Sequence, residues 1–381
     1  MPLKGLKVLE FSGLAPVPFV GAILSDFGAK VTVIEQTNAS FAEFTNLLSH
    51  GKRSISINLK HSEGVKIVKK LAKSSDILVE PFRPGVMEKL GLGPSVLMAE
   101  NPMLIYSRLN GYGSNGYYSK RAGHDINYLA ISGLLSLYGG KNPKPIPPVN
   151  FSEFTGGSIL CVLGILMAVI ARPNIKKGQI VDANVTEGIA YAGSWFMRSQ
   201  DTLLWGRPKG HNFLDGGMHF YDTYETKDGK WMAVGAIEPQ FYQELLQGLG
   251  LDPDDMAQLD EEENEKNREI FSKVFKEKTQ GEWCKIFDSK DACVTPVLNF
   301  KEVAQHPHNK SRNSFIEKNN IVIPKPAPKL NETPGISSAH NSIVSCGQHT
   351  SEILMSIGYS VDKIKELKIN KIVYQDPKSK I

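Results

Sequence analysis

The first third of the chain alternates two hydrophobic periodicities. "KVLEFS" (7–12), "KVTVIE" (30–35), "SISINLK" (54–60), "DILVE" (76–80) and "NPMLIYSRL" (101–109) are short apolar runs that predict strands. Between them, "PFVGAILSDFGA" (18–29) predicts a helix with Gly28 near its end. "SEGVKIVKKLAKSSD" spaces Val65, Ile67, Val68 and Leu71 along one helical face. "FRPGVMEKLGLGP" reads as a further helix punctuated by Pro and Gly. Strands alternating with helices predict an α/β fold, with a Rossmann-like parallel sheet covered on both faces.

The pattern changes further along. Ile159 to Ala171 is the longest apolar run, 13 residues. That is short of the ~20 a bilayer needs, so it predicts a buried helix rather than a membrane span. Residues 190–225 lose periodicity, and 191–225 reads as a linker. "YETKDGKWMAVGAI" then predicts a hairpin turning at Asp228-Gly229, and "PQFYQELLQGLG" a helix opened by Pro239. The expected organisation is a large α/β domain over 1–190, a small α+β domain over 226–317, and a Pro-rich return linker over 318–336. A segment over 337–381, helical near 347–357 and 361–367, is expected to rejoin the large domain.

Composition narrows the function classes. Net charge is +4 from 44 basic and 40 acidic residues, too balanced to argue for nucleic acid or an anionic membrane. The four cysteines form no Cys-x-x-Cys pair, which fits a reducing, intracellular compartment. The amino end lacks a signal-peptide pattern. The chain ends in Ser-Lys-Ile, one conservative step from the peroxisomal Ser-Lys-Leu; peroxisome or mitochondrion is the expected address, with cytoplasm the alternative. "GLAPVPF", after the first strand, carries prolines where a dinucleotide turn needs glycines, which argues against NAD or FAD. The histidines show no metal-ligand spacing, and neither a P-loop nor a G-x-S-x-G elbow occurs.

Three acid–base candidates stand out. His124, in "AGHDINYLAISG", precedes an apolar-periodic helix, with Asp125 the expected N-cap. Glu153 stands just before the most apolar helix, as a partner for its dipole or as a catalytic carboxylate at the rim of the core. Glu238, in "AVGAIEPQF", opens another helix. Each also has an ordinary structural explanation.

Taken together, "EFSGLAPVPF", "GKRSISINLK", "EPFRPGVMEKLGLGP", "AGHDINYLAISG", "KGQIVDANVTEG", "NFLDGG", "VGAIEPQFYQELLQGLGL" and "DACVTPVL" resemble the α-methylacyl-CoA racemases of the class III CoA-transferase superfamily over nearly the whole chain. The resemblance implies inversion at C2 of a 2-methyl-branched acyl-CoA in lipid metabolism, by α-proton removal and return through an enolate-like intermediate. No cofactor is implied, since CoA is part of the substrate. Inversion needs a base on one face of the carbon and an acid on the other. His124 matches the base, position 153 the opposing carboxylate, and Glu238 the acid that orients the histidine. The helix start at Asp125 is expected to offer main-chain donors to the thioester oxygen. Ile57, Asn58, Leu59 and Lys60 match the segment beside adenine and phosphates, Arg83 is a second phosphate partner, and Gly123, Asp125, Ile126, Asn127 and Tyr128 match the pantetheine and thioester wall. Members form interlocked homodimers, which long linkers suit.

Two departures bear on function. Gln36 stands where the family commonly has Arg, which removes a bidentate phosphate contact. Glu153 replaces an aspartate; its proton chemistry is equivalent, but one methylene moves the carboxylate by roughly an ångström, enough to cost about 10²-fold if uncompensated. The alternatives are a weak or inactive acyl-CoA-binding homologue and a CoA-transferase that uses Glu153 as nucleophile.

Overall fold

The computed structural model describes residues 1–36, 46–318 and 321–377. The Ser-Lys-Ile tail lies outside the described residues. The chain divides into two units: 1–134, 149–192 and 312–381 form the large one, and 135–148 with 193–311 the small one.

In the large unit the predicted strands form as β1 (Lys7–Phe11), β2 (Lys30–Glu35), β3 (Arg53–Ile57), β4 (Ile77–Glu80) and β5 (Ile105–Asn110), joined by β6 (Ile180–Asn184), which the apolar pattern did not announce. All six are parallel, in the order β3-β2-β1-β4-β5-β6, and Val373–Tyr374 adds an antiparallel edge beside β3. Alternate side chains feed opposite faces. Val8, Val31, Ile77 and Ile105 pack with α1 (Pro16–Asp26), while Leu9, Ile34, Ile55 and Leu78 pack with α2 (Ser62–Lys73) and with the carboxy-terminal helices Thr350–Ser356 and Val361–Ile369. The fold class therefore stands as expected.

Two short elements serve the site. Helix α3 (Asp125–Ile131) follows β5, and α4 (Leu160–Ile175) continues from a π-helical stretch, Glu153–Ile159. A π turn is wider than an α turn and recurs at functional sites. Here it lies against α5 (Val185–Ala192) so closely that a Cβ on Gly188 would sit 1.9 Å from the Gly156 carbonyl oxygen.

The 13-residue length argument fails. The helical run Glu153–Ile175 has 23 residues, and its most apolar 18-residue stretch has a mean hydropathy of 2.3, so by length and composition alone it could cross a membrane. Its inner face (Cys161, Val162, Ile165, Ala168) is buried in the large unit's core, whereas Ile159, Leu163, Met167 and Ile170 are exposed.

The small unit holds the antiparallel sheet β7 (Tyr221–Glu225), β8 (Trp231–Gly235) and β9 (Val294–Pro296) with α6 (Pro239–Leu249), α7 (Asn264–Phe275) and α8 (Gln280–Phe287). The hairpin turns at Asp228-Gly229, and Gly229 takes the left-handed φ of 70°. The stretch read as a linker is not one throughout. Met218, Phe220 and Tyr224 are core residues here: Tyr224 packs on Phe271 and Phe275 of α7, and Phe220 on Tyr242 of α6. The expected return linker begins differently too: Phe315–Lys318 pairs antiparallel with Ile321–Pro324 in the large unit.

One buried ion pair ties β1 to the start of β3. Lys52 Nζ donates to Glu10 at 2.7 and 3.0 Å and to the Pro18 carbonyl at 2.7 Å, all within the core. Burial pushes the Glu10 carboxyl up to about 7, with the Lys52 charge opposing. A carboxyl raised in the folded state contributes stability below its ordinary value that is lost as pH rises through about 7. Lys52→Met removes the opposing charge, so it costs about 3–5 kcal/mol at pH 8 and distinctly less at pH 5, where Glu10 takes up a proton. Urea unfolding at the two pH values checks this; equal losses contradict it.

Candidate active site

The site forms where the order of the sheet reverses. Connections from β1 and from β4 leave toward opposite faces, so a crevice opens beyond their carboxyl ends. A cavity of about 130 Å³ lies there. Leu14, Pro16 and Val17 after β1 and Pro81 after β4 form one side, and Leu109, Asn110 and Gly111 at the end of β5 the floor. Gly123 and His124 at the head of α3, Tyr128 within it, and Glu153 and Val185 complete the wall. Pro16 occupies the first helical turn and has no N–H to offer a phosphate, which explains why this crevice lacks a dinucleotide loop.

The imidazole and the carboxyl group therefore open into one cavity. His124 is exposed and stands at the N-cap of α3, not on the loop before it. Its main-chain N–H donates to Asn127 Oδ1 at 3.0 Å, which fixes the helix start. Glu153 is half-buried at the head of the π-helical stretch. Burial raises its carboxyl above the ordinary value, the Asp125 charge adds to the rise, and His124 opposes it.

Asp125 departs from expectation. The N-cap is His124, and Asp125 is 4% exposed with its carboxylate turned into the protein, while its main-chain N–H donates to the Glu153 carboxyl. Ile126 and Asn127 are exposed on the next turn.

Tyr128 organises the wall. Its hydroxyl donates to the Gly123 carbonyl, and its ring meets Tyr112 edge-on at 4.9 Å. Burial, followed by the Glu153 charge, pushes the phenol up to about 12, and Arg83 opposes the rise, which places that guanidinium's influence at this wall. Glycine is required opposite the ring. A Cβ on Gly111 would lie 2.1 Å from Tyr128, and one on Gly123 would lie 2.7 Å away. The Gly111 carbonyl is held by Thr186 through its N–H (3.1 Å) and hydroxyl (2.8 Å).

The other expected CoA positions lie along the same carboxyl edge. Gln36 is exposed beyond β2, and Arg83 is exposed beyond β4. Ile57 ends β3 and is fully buried, as is most of Leu59, so neither offers much side chain to a ligand. Asn58 accepts the Lys60 N–H at 3.0 Å in a tight turn that leaves the Lys60 ammonium exposed. Glu238 belongs to the small unit, where it is exposed at the N-cap of α6.

Several wall residues went unassigned from the sequence: Leu14, Pro16, Val17, Pro81, Gly111, Tyr112 and Val185. The Pro pair of "GLAPVPF" was the one available signal, since it marks a strand-to-helix loop at the switch point.

Gly111→Ala is expected to displace the Tyr128 ring and destabilise by about 1–3 kcal/mol, an ordinary cost of overpacking. A thermal melt reads the loss, and an unchanged melting temperature contradicts the packing described.

The family model for CoA-transferase family III matches residues 3–350. The chain is 48% identical over 376 residues to "Alpha-methylacyl-CoA racemase" of Homo sapiens, covering 98% of each chain. It is 47% identical to the Mus musculus protein of the same name, covering 99% and 98%. A solved CaiB/BaiF family protein from Brucella suis is similar in fold, with a TM-score of 0.78 at 23% identity, over 94% of this chain and 99% of that one.

Proposed function

Because this chain belongs to CoA-transferase family III, and matches racemases over nearly its full length, we propose that it interconverts (2R)- and (2S)-2-methylacyl-CoA thioesters. The observation that carries the proposal is that His124 and Glu153 open into one cavity at the switch point of the sheet. With C2 of the acyl group between them, one side chain removes the α-proton and the other returns a proton to the opposite face. The electron pair left on C2 moves onto the thioester carbonyl as an enolate, then back to C2 on reprotonation. The main-chain N–H of Asp125 at the start of α3 is the donor this reading assigns to that oxygen, which it would reach by exchanging its hydrogen bond to the Glu153 carboxyl. A carboxyl group raised by burial suits a role that needs both protonation states near neutrality. Lys60 and Arg83 supply phosphate partners on the same edge, and the chemistry requires no further cofactor.

The replacement of aspartate by Glu153 is accommodated in this reading by the wide π turn that carries it. The proposed homodimer finds support in the outer face of α4, where Ile159, Leu163, Met167 and Ile170 stand exposed at helical spacing. A second copy of the chain covering that stripe buries it without a bilayer. The role the resemblance gives Glu238 is to orient the imidazole, and Glu238→Gln tests it through the pH profile of exchange.

In heavy water, with a 2-methylacyl-CoA and no acceptor acid, deuterium is expected at C2. His124→Ala and Glu153→Gln each slow it by about 10²–10⁴-fold. Because Glu153 is raised, the direction in which it acts as base gains rate as pH rises through a midpoint above the ordinary ~4.3. A trapped glutamyl-CoA adduct without exchange points instead to the transferase, and tight binding with neither points to an inactive binder. Analytical ultracentrifugation of wild type and Met167→Lys reads the second copy: a wild-type dimer weakened by the lysine is expected, and a monomeric wild type contradicts it.

A further inference from the structure

We infer that Asp125 is a positioning residue for Glu153, tethering the main chain at 152–153 to the start of α3 so that His124 and the Glu153 carboxyl keep a fixed separation. The inference rests on the epimerase reading above.

The Asp125 side chain does not serve its own helix. Its Oδ1 accepts the Glu153 main-chain N–H at 2.7 Å and the Ser152 hydroxyl at 2.6 Å, across a sequence separation of 28 and 27 residues. The Ser152 hydroxyl also lies 3.1 Å from the Asp125 carbonyl oxygen. Both residues are buried, Ser152 completely and Asp125 to 4% exposure. Hydrogen bonds to an ionised acceptor shielded from water are among the stronger and more directional ones. A carboxylate ordinarily found in a first helical turn only complements the helix dipole. This one instead locks the residue after His124 to the residue that is Glu153.

Two catalytic groups on separate segments need such a lock, because productive geometry tolerates errors of only about half an ångström. The longer glutamate makes the requirement stricter, since it adds a torsion between the tethered main chain and the carboxyl group. The charge of Asp125 also acts on Glu153 directly. The groups that act on the Glu153 carboxyl are Asp125 and His124, with the Tyr128 phenol nearby; the Asp125 charge raises it, while His124 and the hydrogen bond from the Asp125 main-chain N–H lower it.

The test measures C2 deuterium exchange in wild type, Asp125→Ala, Asp125→Asn and Ser152→Ala, with circular dichroism for folding and carboxyl ¹³C NMR for the titration of Glu153. Asp125→Ala is expected to lower kcat by about 10²-fold at nearly constant KM, the scale of an ångström's misplacement. Asp125→Asn keeps an oxygen for both donors and is expected to restore at least about tenfold of that loss. Its Glu153 midpoint falls, because the neighbouring negative charge is gone. Full rate in Asp125→Ala, equal loss in Asn and Ala, or an unmoved Glu153 midpoint in Asp125→Asn would overturn the inference. If Asp125→Ala does not fold, Ser152→Ala decides: loss of one tether lowers kcat several-fold at constant KM, and an unchanged kcat overturns it. Wild type that exchanges no C2 proton overturns the epimerase reading instead, while the NMR midpoint still decides the contact.

Discussion

In a parallel sheet whose β1 and β4 connections turn to opposite faces, the two loops diverge and open a crevice that the strands themselves cannot fill. His124 and Glu153 both depend on that divergence. The loop after β1 supplies an apolar side wall, β5 delivers the chain to the head of α3, and the π-helical stretch brings a carboxyl group to the same opening. Dinucleotide folds fill the equivalent space with glycines and free N–H groups. Here Pro16 and Leu14 line it, so the crevice is suited to an apolar acyl group rather than to a pyrophosphate.

The remainder of the large unit keeps that opening rigid. The Glu10–Lys52 pair fastens the first turn of α1 through the Pro18 carbonyl, and Gly156 and Gly188 let α5 press directly on the π-helical stretch. Gly111 and Gly123 leave room for the Tyr128 ring, whose hydroxyl in turn holds the peptide just before His124. These are close-packed contacts between backbone and side chain, which shift as a block rather than one at a time.

The hydrophobic pattern made β1 to β5 legible because each carries a short cluster of apolar residues that is buried in the sheet. It missed β6, where burial alternates and a charged Asp182 interrupts the run. The 191–225 stretch misled for a different reason. Met218, Phe220 and Tyr224 are buried without forming a periodic series, so periodicity could not register them. His124 and Glu153 drew notice as titratable groups beside apolar helices, and the family resemblance supplied their pairing. The buried role of Asp125 was hidden, because an acid after a loop looks the same in sequence whether it caps its own helix or reaches across to another segment. The length of the apolar helix was also misjudged: the run counted only uninterrupted apolar residues, whereas the helix extends through Thr155, Gly156 and Ser158.

The account stands on two groups acting from opposite faces of one carbon. The most direct measurement follows single-enantiomer (2S)-2-methylacyl-CoA in heavy water at low conversion, with deuterium at C2 read separately in remaining substrate and in product. Two opposed groups predict a (2R) product that carries solvent deuterium from its first appearance. A product that retains the original proton would mean that a single group serves both faces, and would contradict the account.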